Sequence, residues 1–506
     1  MTIDPEALFA SLMKLPKATG REILTIDGRC ALVRECGDLA VCATNGSGGR
    51  VIFSRGLPWL SETCSLRWVG DCWFCFLQGI PSQRMISIVS SRLRQRLDLE
   101  KWWFDLLRTL ILQCDADAET LVVATGTAPY EASTRAAQLF GKSMIRFEVS
   151  TESSVSDSEL LRPWVKFCWQ QIIDSQEDQR DPPVFRVLVS PALELPGPTV
   201  SDGALSKLPL GDRLLFAAAN RIHVFSCRNQ GVVAELLTHH IHDEERRNLP
   251  LLVAADESGQ LPKVVETLPN GWIPWLLEPC KPPALDRAGE TPLMTTPVWP
   301  EDLSSPLLNP DDWLLHWTRA KVGPWPGESP EDFLDAAILQ TESADHSALT
   351  TLLRIISDQC IRSSSDGIRG GHAVVAFTAV PLHEFRSRRV FRKHRNRFDF
   401  EPWGIAIHKS QLQQRAVRPV LYGNDQDWTQ LSPEDQPYFQ KSTLGGATSN
   451  SAELEWRVMG DLDLSQFDRK SIFVFVDNSA AADLVSQHSR WPVLVVSDNP
   501  ASSNMC

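Results

Sequence analysis

Short β-branched runs alternate with amphipathic helical segments over residues 85–255, and this alternation constrains the fold more than any other feature. "MISIVSS" precedes "DLEKWWFDLLRTLILQC", and "ETLVVATGT" precedes "YEASTRAAQLFGK". Runs rich in Ile and Val are typical of buried strands, whereas apolar residues three and four apart are typical of helices. Strands that alternate with helices of this length predict βαβ units on a parallel sheet.

A proline-dense segment interrupts the chain after this region. It contains "EPCKPPAL" and "TPLMTTPVWPEDL", and proline removes an amide donor and disfavours regular structure. A chain of 506 residues is also too long for a single core. We therefore expect a β-rich lead-in (1–80), an α/β domain with a parallel sheet (81–275), a linker (276–310) and a mixed α+β domain (311–506).

Composition narrows the classes of protein and partner. A net charge of -13 argues against a surface that binds nucleic acid throughout. No apolar run approaches the ~20 residues of a membrane span, and the twelve cysteines follow no disulfide rhythm. The opening "MTIDPEALFASLMKLPK" carries acids where a secretory signal needs an apolar run. These features predict a cytoplasmic protein without a membrane partner.

Cys72 and Cys75 have the C-x-x-C spacing of a zinc site, but the chain has no second such pair. We therefore expect both cysteines to be buried rather than to bind zinc.

Three loops each connect the end of a predicted strand to the helix that follows it. They are "SSR" at 90–92, "TGTAPYEAS" at 125–133 and "SCRNQG" at 226–231. Helix N-termini present free N–H groups and the positive end of the dipole, so such loops suit anions. In doubly wound sheets, ligands bind beyond the carboxyl ends of the strands. The candidate nucleotide-binding residues are Ser90, Arg92, Gly126, Thr127 and Glu131. Gly126 equally fits a tight turn with no ligand.

The same region resembles a known superfamily. "MISIVSSRL", "LVVATGTAPYEASTRAAQLFGKSMIRF" and "GDRLLFAAANRIHVFSCRNQGVVAELL" resemble successive blocks of the DNA-processing protein A and Lonely-guy (SLOG) superfamily of Rossmann-like nucleotide-binding folds. Enzymes of that superfamily carry a Gly-Gly-rich phosphate loop followed by Thr and Glu, and Gly126, Thr127 and Glu131 are a thinned version of it. Pro129 and Tyr130 stand where small glycines would admit a phosphate. The resemblance therefore implies ligand sensing rather than phosphoribohydrolase activity.

Two predicted strands of the second half carry polar groups on one face. Side chains on a strand alternate faces, so His316 shares a face with Thr318, and Glu453 shares one with Glu455 and Arg457. If the two strands are neighbours, these groups meet in one cleft. A carboxylate can stabilise the oxocarbenium-like sugar that forms when the glycosidic bond of NAD breaks, and a second can deprotonate the nucleophile. Each pattern alone is commonly structural, as a solvated strand face or a satisfied histidine.

This pattern resembles the ADP-ribosyltransferase superfamily, which has a His-x-Thr strand and a late Glu-x-Glu, and bacterial abortive-infection domains with a late E-x-E-W-R. "HSALTTLLRIISDQCIRSS", "HAVVAFTAVPLHE", "FEPWGIAIHK" and "VRPVLYG" resemble the intervening blocks of the second group. The resemblance implies an ADP-ribosyltransferase-like α+β domain that uses NAD as substrate, with Glu455 and Glu453 catalytic. It also implies four cofactor-binding residues, His316, Thr318, Tyr422 and Arg457. The candidates for the middle residue of the transferase triad are Tyr422 and the pair Ser442 and Thr443 in "KST".

The stretch "HEFRSRRVFRKHRNRF" at 383–398 holds seven Lys or Arg against one Glu. Its candidate phosphate- or nucleic-acid-binding residues, within 386–397, are Arg388, Arg389, Arg392, Lys393 and Arg395. The alternative is a solvated loop that neutralises nearby acids. No spacing of His, Cys, Asp and Glu indicates a metal site.

Taken together, these features predict a two-part bacterial-type protein. A nucleotide-sensing Rossmann-like half would be coupled to an NAD-using ADP-ribosyltransferase-like effector, a pairing that suits phage defence or a stress response. One alternative is a non-enzymatic protein that binds nucleotides or nucleic acid. Another is a metal-dependent abortive-infection nuclease that uses Glu453 and Glu455 with a divalent ion.

Overall fold

The chain forms two compact units. The computed structural model describes residues 6, 9, 23–26, 30–35, 38–43, 51–150, 154–155, 161–174, 183–193, 205–268, 271–276, 312–384, 389–392, 397–398, 400–442 and 454–496. The first unit comprises Met1–Pro282 together with Pro330–Glu342, and the second comprises Pro283–Ser329 together with Ser343–Cys506. A short segment that follows the first strand of the second unit therefore belongs to the first unit. Most of the expected linker lies outside the described residues.

The first unit alternates strands and helices. Its strands are β1 (Ile23–Ile26), β2 (Cys30–Glu35), β3 (Asp38–Ala43), β4 (Ile52–Arg55), β5 (Trp73–Phe76), β6 (Arg84–Ser90), β7 (Glu119–Ala124), β8 (Met144–Val149), β9 (Ser154–Val155), β10 (Val184–Val189), β11 (Ala192–Leu193), β12 (Arg221–Ser226), β13 (Leu251–Ala254) and β14 (Ile273–Trp275). Its helices are α1 (Glu62–Val69), α2 (Lys101–Gln113), α3 (Tyr130–Leu139), α4 (Arg162–Asp174), α5 (Leu210–Ala218), α6 (Val232–His242) and α7 (Pro330–Leu339).

A nine-stranded sheet organises this unit, in the order β14-β13-β12-β6-β7-β8-β10-β5-β4. The strands from β14 to β10 are all parallel, whereas β5 runs antiparallel to β10 and to β4. After the edge strands β4 and β5, the parallel part of the sheet begins at β6, moves outward through β7 and β8 to β10, and then returns to the other side of β6 for β12. That path is doubly wound. The predicted α/β architecture with parallel strands is confirmed, and the antiparallel edge makes the sheet mixed.

Helices cover both faces of this sheet because its strands are apolar on both sides. Met85 and Val89 of β6 belong to the core formed with α1, α5 and α6, whereas Ile86 and Ile88 pack with α2 and α3. In α2 the buried residues recur at helical spacing, so one stripe faces the sheet. Ile338 of α7 is fully buried in that second core. The short strands β1, β2 and β3 form a separate antiparallel sheet.

The second unit is built on a seven-stranded sheet. Its strands are β15 (Trp313–Trp317), β16 (Cys360–Ile361), β17 (Val374–Thr378), β18 (Phe391–Arg392), β19 (Arg397–Phe398), β20 (Gly404–His408), β21 (Arg418–Pro419), β22 (Leu421–Gly423), β23 (Phe439–Lys441), β24 (Glu455–Met459), β25 (Leu462–Asp463), β26 (Ile472–Val476) and β27 (Val493–Val495). Its helices are α8 (Ala348–Asp358), α9 (Lys409–Gln413), α10 (Asp425–Gln430) and α11 (Ser479–His488).

The sheet order is β21-β24-β17-β15-β20-β26-β27, and every pair is antiparallel except β26 with β27. One face packs against α8 and α11 through a core that includes Leu314, Phe377 and Val458. The opposite face carries a smaller cluster around Trp317 and Phe475. Among the described helices of either unit, none combines the length and the apolar character needed to cross a membrane.

Candidate functional site

The loops after β6 and β12 meet where the winding of the first sheet reverses. Ser91 N donates to Ser226 O at 2.8 Å, and Arg228 N donates to Ser91 Oγ at 3.1 Å. Two of the three predicted loops are thus adjacent. The hydroxyl of Ser90, however, donates to the carbonyl of Ser91 at 2.9 Å and accepts from Trp103 Nε1 at 3.0 Å. Ser90 therefore fixes the loop, while Arg92 is exposed beside it.

The third predicted loop follows β7 and leads into α3. Gly126 has a φ of +81°, a conformation that favours glycine, and a side chain there would meet nothing within 4 Å. Thr127 is buried and its Oγ1 donates to Ala124 O at 2.7 Å, which closes the turn. Glu131 is exposed in the first turn of α3. Gly126 and Thr127 therefore shape the loop, and Thr127 offers no free hydroxyl.

Beyond this loop lies a cleft of about 1180 Å³ at the carboxyl ends of β7, β8 and β10. The first turn of α5 closes one side of it, and Tyr130, Trp164 and Phe167 contribute aromatic surface. Arg146 and Arg186 contribute positive charge. A site beyond the carboxyl ends of parallel strands is where α/β sheets commonly bind ligands.

Arg146 and Arg186 are directly opposite each other in the parallel register of β8 and β10. Both bind one carboxylate. Arg186 donates from Nε to Glu148 Oε1 at 2.8 Å and from Nη2 to Oε2 at 3.0 Å, and Arg146 Nε donates to Oε1 at 3.0 Å. Arg186 Nη2 also donates to Gln171 Oε1 at 2.8 Å. Two guanidinium groups thus share the carboxylate of Glu148.

Electrostatics within this cluster are coupled. Burial alone would raise the pKa of Glu148, but the hydrogen bonds and charge of Arg186, and then those of Arg146, hold that pKa below its ordinary value. The carboxylate is therefore ionised at neutral pH and keeps both guanidinium groups in place. Preorganised arginines are suited to bidentate recognition of phosphate.

The start of α5 faces the same cleft. Its N-cap is Pro209, whose side chain has no acceptor for the first amides of the helix. A Cβ on Gly211 would lie 2.8 Å from Thr125 O, so the glycine permits the helix to start this close to the end of β7. Burial raises the pKa of Asp212 to about 6, opposed by the positive charge of Arg92. Lys207, just before the helix, is exposed at the rim.

Sequence reasoning missed Arg146, Arg186 and Asp212. The available signal was an arginine at the third position of two apolar strands, "MIRFEV" and "VFRVLV". A charged residue inside a run that otherwise suits a buried strand calls for a partner or a ligand. The pairing of those two strands, however, is a property of the fold.

The second unit separates the residues that were predicted to meet. Strand β17 lies between β15 and β24, with Leu315 opposite Thr378 and Thr378 opposite Glu455. Paired residues point to the same face, so Leu315 shares a face with Glu455, and His316 lies on the other face. His316 accordingly contacts the ring of Phe377, with centroids 5.7 Å apart. The expected cleft joining His316 and Thr318 to Glu455 and Arg457 is therefore not formed.

His316 and Thr318 are bound to backbone. His316 Nδ1 lies 2.9 Å from Ala376 O, and burial lowers the pKa of His316 to about 4 although this hydrogen bond opposes the shift. Thr318 is 1 % exposed, and its hydroxyl lies within 2.9 Å of Ala348 O and 3.1 Å of Trp403 O. A neutral imidazole and an internally bonded hydroxyl are typical of structural positions.

Arg457 joins β24 to the segment that carries β23. It is 1 % exposed and donates to Glu455 Oε1 at 2.8 Å, Pro437 O at 3.1 Å, Phe439 O at 2.9 Å and Gln440 Oε1 at 2.7 Å. Tyr422 is opposite Gln440 in the parallel register of β22 and β23. Glu455, Arg457 and Tyr422 thus belong to one neighbourhood, in which Glu455 is one partner of a buried arginine.

The remaining predicted residues are Glu453 and the five basic residues of 388–395. Glu453, Arg388, Lys393 and Arg395 lie outside the described residues. Arg392 is in β18, which pairs with β19, and Arg389 lies over the ring of Phe398 at 4.2 Å and pairs with Glu401 at 3.4 Å.

The sequence predicts that Cys72 and Cys75 are buried and that the chain has no metal site. Cys72 and Cys75 are both buried, but they belong to different cores. Within the described ranges, no three His, Cys, Asp or Glu side chains are grouped as metal ligands would be.

Comparison of the chain with protein-family models, with curated proteins and with solved structures found no match.

Proposed function

We propose that the first unit is a Rossmann-like ligand-binding module that holds a nucleoside phosphate in the cleft beyond β7, β8 and β10. This proposal is based on Arg146 and Arg186, which both bond the carboxylate of Glu148 inside that cleft. Two guanidinium groups held in place inside one cleft suit a phosphate or diphosphate group.

The start of α5 supports the same ligand. The first amides of this helix, which Pro209 does not cap, would donate to phosphate oxygens, and the positive end of the helix dipole favours the negative charge. Asp212 is the acidic group of this turn. As a carboxylate it would accept from a sugar hydroxyl, and as a carboxylic acid it would donate to a phosphate oxygen. The aromatic surface of Trp164 and Phe167 suits the face of a base.

Under this proposal the protein is a nucleotide-binding protein, the non-enzymatic alternative that its sequence leaves open. ADP-ribosyl transfer by the second unit stays a prediction, and the separation of His316 from Glu455 gives it no support. Nucleic-acid binding through residues 386–397 also stays a prediction.

The test is calorimetric titration of the full-length protein with ATP, ADP-ribose and NAD. At least one should bind, and Arg186→Met should weaken binding ten-fold or more. Arg135→Met is the matched control. Arg135 has the same 24 % side-chain exposure as Arg186 and also bonds a carboxylate through Nε and Nη2, that of Asp335, but it does not line the cleft.

The two variants separate a local effect from a general loss of charge. Equal affinity in wild type and Arg186→Met, or no binding of any of the three nucleotides, contradicts the proposal. Loss in both variants would indicate nonspecific electrostatic binding, which also contradicts it. A specific complex should weaken as salt rises, because ionic strength screens the partly exposed arginines.

A further inference from the structure

A second cavity, of about 900 Å³, lies at the amino ends of the strands of the first sheet. It is lined from β12 by Arg221 and His223, from the loop before β6 by Gln83, and from β14 by Trp275. The nucleoside-phosphate cleft is at the carboxyl ends of the strands, so this cavity is a separate feature of the sheet.

Four buried polar atoms of residues that line this cavity have no hydrogen-bond partner among the described residues. They are both ring nitrogens of His223, Nε of Arg221 and Oε1 of Gln83. His223 is only 4 % exposed. A buried polar atom without a partner destabilises the fold, because its desolvation is not compensated by a hydrogen bond. Such atoms are rare in proteins, and several around one cavity indicate a group that satisfies them when bound.

The charges of the cavity indicate the class of that group. Its charged side chains are two arginines and two acids, Arg84, Arg221, Asp115 and Glu119, and Arg221 Nη2 pairs with Glu119 Oε1 at 3.0 Å. The cavity therefore has no formal net charge. Burial, with the charge of Arg221, lowers the pKa of His223 to about 3, so its imidazole is neutral and offers one donor and one acceptor. An uncharged ligand with donors and acceptors fits this set.

An aromatic ring stands beside the orphaned imidazole. Trp275 lies edge-on to His223, with centroids 4.9 Å apart. It belongs to β14, a three-residue strand that, within the described part of the chain, pairs only with β13 at the edge of the sheet. An edge strand of this length moves at low cost. Trp275 is therefore placed to move aside and then pack against a planar ligand.

We propose that this cavity binds an uncharged, planar nitrogen heterocycle of the nucleobase class. Its ring and exocyclic nitrogen and oxygen atoms would pair with His223, Gln83 Oε1 and Arg221 Nε, and its face would pack on Trp275. The site is independent of the proposed nucleoside-phosphate cleft.

The experiment titrates adenine, hypoxanthine and uracil into the full-length protein by calorimetry, with saturation-transfer NMR as a second readout. At least one base should bind to wild type, and His223→Phe should weaken that binding ten-fold or more. The substitution is expected to fold, because an apolar ring replaces a buried polar ring that has no partner. Gln83→Met removes a second orphaned atom and decides the test if His223→Phe does not fold.

His240→Phe is the matched control. His240 is fully buried and both its ring nitrogens also lack partners in the described chain, but it lies against Trp68 and Phe216, away from this cavity. Unchanged binding in this variant supports the site. Absence of binding by wild type up to about 1 mM, where the binding free energy is only about 4 kcal/mol, overturns the proposal. Binding that survives His223→Phe and Gln83→Met but is lost in Arg186→Met would locate the base in the other cleft and also overturn it.

Discussion

Arg146 and Arg186 are opposite each other on neighbouring parallel strands, and both bond the carboxylate of Glu148. Like charges directly opposite on a sheet repel, so the pair persists because a third residue lies between them. Glu148 neutralises one of the two charges. This relationship underlies the functional proposal, in which a phosphate group of the ligand bonds the same two arginines.

The first prediction concerns the pH dependence of that cluster. Arg186→Met should lower the free energy of unfolding at pH 7 by about 2 kcal/mol, the size of a hydrogen-bonded charged contact. The folded-state pKa of Glu148 is below its ordinary value of 4.5, so its stabilisation is present above that value and is lost as pH falls through the folded pKa. Urea unfolding from pH 7 to pH 3 should show the variant and wild type converging at the acid end. A constant difference would contradict the coupling.

A second prediction concerns the close packing of the start of α5 against the end of β7. Gly211→Ala should destabilise the protein by about 1–3 kcal/mol, because the added methyl group meets Thr125 O at 2.8 Å and Thr127 Cγ2 at 3.1 Å. The same shift should weaken nucleotide binding. Gly126→Asn is the control, since asparagine tolerates a positive φ and nothing lies within 4 Å of a Cβ there. Equal denaturation midpoints for Gly211→Ala and wild type would contradict this packing.

The buried imidazole of His240 gives a third prediction. Burial and the charge of Arg246 lower the pKa of His240 from 6.5 to about 4. A depressed histidine pKa stabilises the fold above 6.5, and between 6.5 and 4 the stabilisation falls by about 1.4 kcal/mol per pH unit. His240→Phe should make the acid dependence of unfolding shallower by up to that slope. His242→Gln, at an exposed position on the same helix, should leave it unchanged.

The fourth prediction concerns NAD chemistry in the second unit. Glu455 bonds a buried arginine and lies on the opposite sheet face from His316, so we expect no nicotinamide release from NAD by the purified protein. Wild type and Glu455→Gln should behave alike, with and without added nucleotides and nucleic acids. Release by wild type that disappears in Glu455→Gln would restore the transferase hypothesis, and an added ADP-ribose mass would separate transfer from hydrolysis.

The sequence permitted a good prediction of the first sheet, because local alternation of strands and helices determines a parallel βαβ arrangement. It also located the loops after β6, β7 and β12 at the carboxyl ends of strands. The arginine cluster was missed because Arg146 and Arg186 are distant in sequence and meet only through the register of β8 and β10.

The second unit illustrates the same limit. Alternation within a strand places Glu455 and Arg457 on one face of β24, whereas Thr318 lies one residue beyond the end of β15. Strand β17 pairs with both β15 and β24, so its register decides which face of β15 lies beside which face of β24. That pairing is non-local in sequence. A shift of one residue in such pairing exchanges the faces. Local patterns therefore cannot decide whether two polar strand faces form one site.

The most direct test of nucleotide binding in the first unit is amide hydrogen exchange of the full-length protein with and without saturating ATP, ADP-ribose or NAD. Binding in the proposed cleft should slow exchange in the first turn of α5 and in the loop after β7, with little change at the amino ends of the strands. Unchanged exchange in that turn and loop with all three nucleotides would contradict it.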